Sequence, residues 1–156
     1  MIEILKIFVS PAHNYFGHHG KPAGDAPTLE VHEVECVAGS GLRGDRYFDY
    51  KTNYKGQITF FADEVFEDLC AHFQIDREFV SSAAFRRNVI TRGVDLNSLI
   101  GQEFEIQGIR FSGTAECTPC YWMDQAFHPG AEKALKGRGG LRARILTDGV
   151  LRTTAS

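Results

Sequence analysis

The sequence predicts a mainly β fold, either a β-barrel or a sheet-rich α+β domain, with one substantial helix and short helical pieces. Three observations predict it. Apolar residues fall in short runs of strand length, separated by glycine-containing turns. One stretch alone repeats apolar residues at convincing helical spacing, Ala62, Val65, Phe66, Leu69 and Phe73. Regular alternation of strand and helix is missing, which disfavours Rossmann and thioredoxin architectures.

Taken in order, Ile2 to Ser10 and Leu29 to Val37 read as strands, the second through the partial alternation of Leu29, Val31, Glu33, Glu35 and Val37. Between them lies "PAHNYFGHHGKPAGDAPT", a long connection rich in Gly, Pro and His. Loops of that length usually carry function or stay unordered, because fixing them without buried contacts costs entropy. "GSGLRGDRYFDYKTNYKG" is a second turn-rich connection. The strand-like "QITFF" then runs straight into the helix, with Asp63 as the expected N-cap and Glu64, Glu67 and Asp68 toward the positive end of its dipole. "FRRNVIT" reads as a strand, "RGVDLNSLIG" as a turn or short helical piece, and "QEFEIQGIRFSG" as a hairpin turning at Gln107 and Gly108. "GAEKALKG" predicts two helical turns closed by Gly137. "LRARIL", "TDG" and "VLRTT" predict a closing hairpin.

At 156 residues the chain is expected to be one domain over residues 1–156, with no internal repeat, low-complexity block or linker. Four cysteines are too few for a disulfide scaffold, and "MIEILKIFVS" lacks the features of a secretory signal, so a cytoplasmic protein is expected. No apolar run approaches membrane-spanning length. A formal net charge of −3 argues against general nucleic-acid binding. The charge is uneven, however: Lys133, Lys136, Arg138, Arg142 and Arg144 crowd the C-terminal third and allow a local anion site.

The chemistry centres on "GTAECTPC", which places Cys117 and Cys120 in a C-x-x-C spacing. A redox pair needs a helix N-terminus within a βαβ setting, whereas here Pro119 intervenes and Pro129 and Gly130 soon end whatever helix follows. A structural zinc site needs two further ligands; Cys36 and Cys70 stand alone, and the histidines offer only His13 with His18 at suitable spacing. Two small buried hydrophobes are the third reading. A reactive or ligating thiolate is the fourth, favoured by polar neighbours Thr114, Glu116, Thr118 and Asp124. For that use the chain also offers "FRRN" and "GRGGLRAR". Arg86, Arg87, Arg138 and Arg142 present guanidinium forks for phosphate or carboxylate, and Gly139 and Gly140 would let backbone N–H groups approach an anion. Spacing alone leaves these readings open. Asp45 and Arg46 could position a ligand, but Gly44-Asp45 reads first as an ordinary turn; His13, His18 and His19 could line a pocket entrance as proton donors or bind a second ion, but read first as an exposed loop. Trp122 and Phe127 read as packing, though an aromatic group beside the thiol could stack on a flat ligand.

The ordered set "GLRGDRYF", "KGQITFFADEVFEDL", "FRRNVITRGVDLNSLIGQEFEI", "GTAECTPC" and "GRGGLRARILTDG" resembles MOSC domains, over about Ile4 to Val150. "SPAHNYFGHHGKP" is similar to a subgroup of small, stand-alone bacterial members. The resemblance implies a β-barrel like that of pyruvate kinase's barrel domain. It also implies either binding of molybdenum cofactor, a pterin dithiolene with a phosphate tail, or handling of activated sulfur by a cysteine. By the family motif Cys120 would ligate molybdenum with Cys117 as its neighbour, and the matches to "RRN" and "RGGLRA" would make Arg86, Arg87, Asn88, Arg138, Gly139, Gly140 and Arg142 cofactor-binding. The activity so implied is reduction of N-hydroxylated compounds. The alternatives are a sulfur carrier bearing a persulfide on Cys120 and a non-catalytic ligand-binding barrel. Sulfurases add a pyridoxal-phosphate domain and amidoxime reducers an extra β domain. This length has room for neither, so no pyridoxal phosphate is expected, and cofactor, sulfur or electrons would come from a partner protein.

Overall fold

The computed structural model describes residues 2–11, 28–119 and 121–154. Its strands form a seven-stranded sheet in the order β2-β1-β6-β5-β9-β8-β7 and a three-stranded sheet in the order β10-β3-β4. The large sheet contains β1 (Glu3–Val9), β2 (Leu29–Val31), β5 (Ile58–Ala62), β6 (Val89–Arg92), β7 (Glu103–Ile106), β8 (Ile109–Glu116) and β9 (Leu141–Ile145). The small one contains β3 (Glu33–Val37), β4 (Gly41–Leu42) and β10 (Gly149–Arg152). The α-helices among the described residues are α1 (Asp63–His72), α2 (Trp122–Ala126) and α3 (Ala131–Ala134).

The mainly β expectation with one substantial helix holds, but the sheets are open. Among the described residues β2 and β7 are the edges of the large sheet and do not pair with each other, so these strands make no closed barrel. The chain instead leaves the large sheet at His32, and β3 pairs with β10 and β4 to cover one face. For that reason the single strand expected over Leu29 to Val37 is two strands in two sheets. The closing hairpin is likewise absent: β9 lies between β5 and β8, while β10 crosses to β3.

Burial explains the layers. Side chains alternate across a strand, so a central strand covered on both faces must be apolar at successive positions. Phe60 packs in a cluster with Val34, Cys36, Leu42 and Leu151 of the small sheet, whereas Phe61 packs with Phe66, Leu69 and Phe85 on the helical side. Ile7 and Phe8, and Val89 and Ile90, divide in the same way. The large sheet is thus the middle layer, with the small sheet on one face and the helices on the other.

One strand–helix–strand unit is present where none is expected. β5 leads into α1 and returns through a 3-10 turn at Ser82–Phe85 to β6, which pairs parallel to β5. "FRRNVIT" is a strand only from Val89, because Arg86 adopts left-handed backbone (φ 57) as it ends that turn. Asp63 is also placed differently: it is the first residue of α1, and Ala62 is the N-cap with no side-chain capping bond. The Asp63 carboxylate pairs instead with Arg77, at 2.8 Å, and with Arg92. The Gln107–Gly108 hairpin forms as expected, both residues having positive φ (55 and 81).

Two predictions follow from this packing. A Cβ at Gly113 would collide with the Leu99 carbonyl oxygen where β8 runs under the 99–102 segment. Gly113→Ala should therefore lower stability by about 1–3 kcal/mol in urea denaturation. Burial alone would raise the Asp63 carboxyl, but hydrogen bonds from Arg77 and Arg92 win and hold it below its ordinary value. A depressed pKa stabilises the fold above the unfolded value, about pH 4, and that stabilisation is lost as pH falls through the lower folded value. The stability deficit of Asp63→Asn, measured by thermal unfolding, should be large at neutral pH and shrink below pH 4.

Candidate functional site

A small recess opens on the large sheet, lined by Arg46, Tyr47, Tyr54, Gly56, Thr59, Arg86, Arg87, Cys117, Thr118 and Arg142. Strand pairing builds its floor: Thr59 of β5 stands opposite Arg142 of β9, which is opposite Ala115 of β8. Alternation puts Thr59 on the same face as Phe61, the helical side. The turn before β6 supplies Arg86 and Arg87, the stretch after β8 supplies Cys117 and Thr118, and the connection between β4 and β5 supplies Arg46, Tyr47 and Tyr54.

Each guanidinium is held differently. Arg87 donates from Nε to the Gly139 carbonyl at 2.9 Å and from Nη1 to the Phe85 carbonyl at 3.1 Å. Arg46 lies over the Tyr47 ring, 4.6 Å from its centroid, and pairs with Asp45 at 3.3 Å. Burial, and then the neighbouring Arg46 charge, pull the Arg86 guanidinium down to about 10, against which Tyr47 and Asp45 act. It remains charged at neutral pH. Four guanidinium groups thus share one recess, and no carboxylate is among the described residues lining it. Such an arrangement is self-repelling until an anion enters, and guanidinium forks match phosphate and carboxylate oxygens.

Tyr47, Tyr50 and Tyr54 form an aromatic wall. Tyr47 and Tyr54 stack at 5.4 Å, and Tyr50 meets both edge-on at 5.1 and 5.0 Å. Burial, reinforced by Tyr47, raises the Tyr54 phenol, which therefore faces the recess as a neutral hydroxyl at physiological pH.

Cys117 is a buried free thiol, and its N–H donates to the Gly140 carbonyl at 2.8 Å. The two glycines expected to cradle an anion make this contact geometrically feasible. A Cβ on Gly139 would strike the Cys117 carbonyl oxygen, and one on Gly140, whose φ is +115, would strike the Phe60 carbonyl oxygen. Asn88 is buried beneath the recess. Its Oδ1 accepts from the Thr59 N–H at 3.0 Å and hydroxyl at 3.1 Å, and its Nδ2 donates to the Phe8 carbonyl at 3.2 Å. It fixes Thr59 rather than facing the recess itself.

The structure thus brings together Arg86, Arg87, Arg142 and Cys117, supports them with Asn88, Gly139 and Gly140, and separates Arg138. That side chain pairs with Asp68 of α1 and donates from Nε to the Ala134 carbonyl at 3.0 Å. It lines a different groove, of about 400 Å³, with Glu64, Val94 and Asn97. Polar groups there are already engaged: Glu64 accepts from the Gly93 N–H and Asn97 donates to the Gly137 carbonyl. Cys120, His13, His18 and His19 lie outside the described residues. Tyr47, Tyr54 and Thr59 line the recess without having been singled out in the sequence. Gly44 and Asp45 do form a turn, the Asp45 N–H donating to the Leu42 carbonyl at 3.0 Å, and Arg46 beside it also lines the recess. Cys36 and Cys70 belong to separate core clusters, and burial pushes the Cys36 thiol up to about 12. Among the described residues no cluster of three or more His, Cys, Asp and Glu is placed to hold a metal, and no helix is long and apolar enough to cross a membrane.

An arginine-lined recess with a cysteine at its wall is thus set on open β-sheets. The family model described as MOSC domain matches residues 17–155, and the chain belongs to that family. Among solved structures it is similar to the YuaD protein of Bacillus subtilis, at 15% identity and TM-score 0.73 over 98% of this chain and 92% of that one. YiiM of Geobacillus stearothermophilus aligns at 16% identity and TM-score 0.68, covering 97% of this chain and 71% of that one. YiiM of Escherichia coli aligns at 18% identity and TM-score 0.65, covering 94% and 66%. These likenesses establish the fold. No curated protein matches the chain.

The close approach at Gly139 gives a test of the site's construction. Gly139→Ala should push the Cys117 segment outward, lower stability by about 1–3 kcal/mol, and speed alkylation of Cys117 as mapped by mass spectrometry. Unchanged alkylation would show that the glycine does not hold the thiol in place.

Proposed function

We propose that the chain binds molybdenum cofactor at the arginine recess and serves as a reductase of N-hydroxylated compounds. The observation that supports this most directly is the gathering of four guanidinium groups and a thiol around one recess with no lining carboxylate among the described residues. The donor chemistry fits the group. Arg46, Arg86, Arg87 and Arg142 would hold its phosphate through charge-assisted hydrogen bonds, and a soft thiolate from Cys120 would ligate the metal. The bound cofactor would supply the two electrons that, with two protons, convert an N–OH group to N–H and water. The chain's own contribution is binding and orientation. The neutral Tyr54 hydroxyl offers a hydrogen bond to a polar atom, the stacked tyrosines offer a flat apolar wall, and Cys117 adds a second thiol to the recess. A partner protein would deliver cofactor and electrons.

Protein purified from cells that make the cofactor should contain stoichiometric molybdenum by elemental analysis, and Cys120→Ser should lose it. Arg142→Glu should reduce molybdenum content while leaving the melting temperature near that of the unsubstituted protein. Wild-type protein that lacks molybdenum but carries an added sulfur mass on Cys120 would overturn the reductase reading in favour of a sulfur carrier. Retention of molybdenum by Cys120→Ser would overturn the ligand assignment.

A further inference from the structure

We infer that Asp45 is a positioning residue for anion recognition, holding the Arg46 guanidinium in the recess. This inference rests on the reading that the recess takes an anion. The Asp45 side chain is 0% exposed and that of Arg46 only 10%. A carboxylate withdrawn from water so completely must be repaid by partners. Asp45 has three: Oδ1 accepts from the Ser10 N–H at 2.9 Å and from Arg46 Nη1 at 3.3 Å, and Oδ2 accepts from the Tyr47 N–H at 3.3 Å.

The contact with Ser10 is reciprocal, because the Arg46 N–H donates back to the Ser10 carbonyl at 2.8 Å. Asp45 and Arg46 are therefore fastened to the chain just beyond β1 at two points. The Arg46 guanidinium is further confined by the Tyr47 ring beneath it and by Nη2 lying 3.5 Å from the Arg86 carbonyl oxygen. Other arginine–carboxylate pairs differ in setting. Both Arg43–Glu35 and Arg110–Glu103 have each partner more than half exposed, where a pair contributes little.

The sign of the electrostatics separates positioning from a charge effect. A carboxylate directly behind an anion pocket repels the anion, so by charge alone its removal tightens binding. Its burial beside a recess-lining arginine is explained if orientation of that arginine is worth more than the repulsion it adds. Asp45→Asn keeps the shape and an acceptor for the Ser10 N–H, gives up the oxygen that accepts from the Tyr47 N–H, and removes the charge that fixes Arg46.

The test is titration of the full-length protein with inorganic phosphate at low salt, followed by 15N NMR of the arginine Nε groups, with melting temperatures recorded in parallel. Asp45→Asn should weaken phosphate binding about tenfold, as should Arg46→Ala. In the Arg46→Ala background Asp45→Asn should weaken binding no further, and the loss of its negative charge should tighten it slightly. Arg46→Lys retains Asp45 and its backbone bonds, and should weaken binding by a similar factor even if Asp45→Asn fails to fold. Equal or tighter phosphate binding by Asp45→Asn, fully independent effects of the two substitutions, or unchanged binding by Arg46→Lys would overturn the inference. These three results leave the anion reading of the recess standing. A wild-type protein that shows no phosphate-dependent Nε shift would overturn that reading, and the inference with it.

Discussion

Like charge held at close quarters is the constraint around which the site is organised. Arg46, Arg86, Arg87 and Arg142 repel one another, and burial of Arg86 adds to the cost of keeping it charged. The fold meets this cost with backbone carbonyls and a single buried carboxylate set behind the lining residues. Carbonyl oxygens of Phe85 and Gly139 take Arg87, and Asp45 takes Arg46. None of these partners is among the residues that line the recess. Positive potential is thereby left in the recess instead of being cancelled by acids within the protein.

That arrangement depends on a sheet whose position is secured from both faces. Phe60 and Phe61 anchor β5 in opposite clusters, so the strand carrying Thr59 has little freedom to tilt or slip. Close backbone approaches then set the rim. Gly139 and Gly140 let the start of β9 lie against Cys117 and Phe60, and the same segment presents the carbonyl that receives Arg87. A methyl group at either glycine would separate the thiol from the arginines. The glycines therefore serve the site through packing, and the anion-cradling geometry first attributed to them is not needed to explain their presence.

Local chemistry made parts of the molecule legible in the sequence. The Gln107–Gly108 turn, the apolar face of α1 and the strand character of β1, β5 and β9 each follow from residues within a few positions of one another. Errors fall where long-range contacts decide. Asp63 looked like a cap because a cap is a local feature, yet Arg77 and Arg92 reach it from other elements. Leu29 to Val37 reads as one strand only if the phase of its alternation is overlooked: apolar positions shift from Leu29 and Val31 to Val34 and Cys36 across His32, and the two halves serve different sheets. The strand–helix–strand unit was hidden because the return from α1 to β6 runs through irregular turns, and parallel pairing leaves no local mark.

The sequence by itself determined the sheet-rich class, the family and the arginine and cysteine motifs, since these follow from periodicity, turn chemistry and linked motifs. Tertiary structure decided which of several equivalent residues meet. Arg138 and Arg142 stand four positions apart and read alike, but β9 begins at Leu141 and its register turns Arg142 to the recess, while Arg138 precedes it and joins Asp68. Arg46, far away in sequence, enters instead because its neighbour Asp45 is bonded to Ser10. Side-chain type is encoded one residue at a time, whereas proximity is set by burying both faces of the central sheet together, and no short segment carries that information.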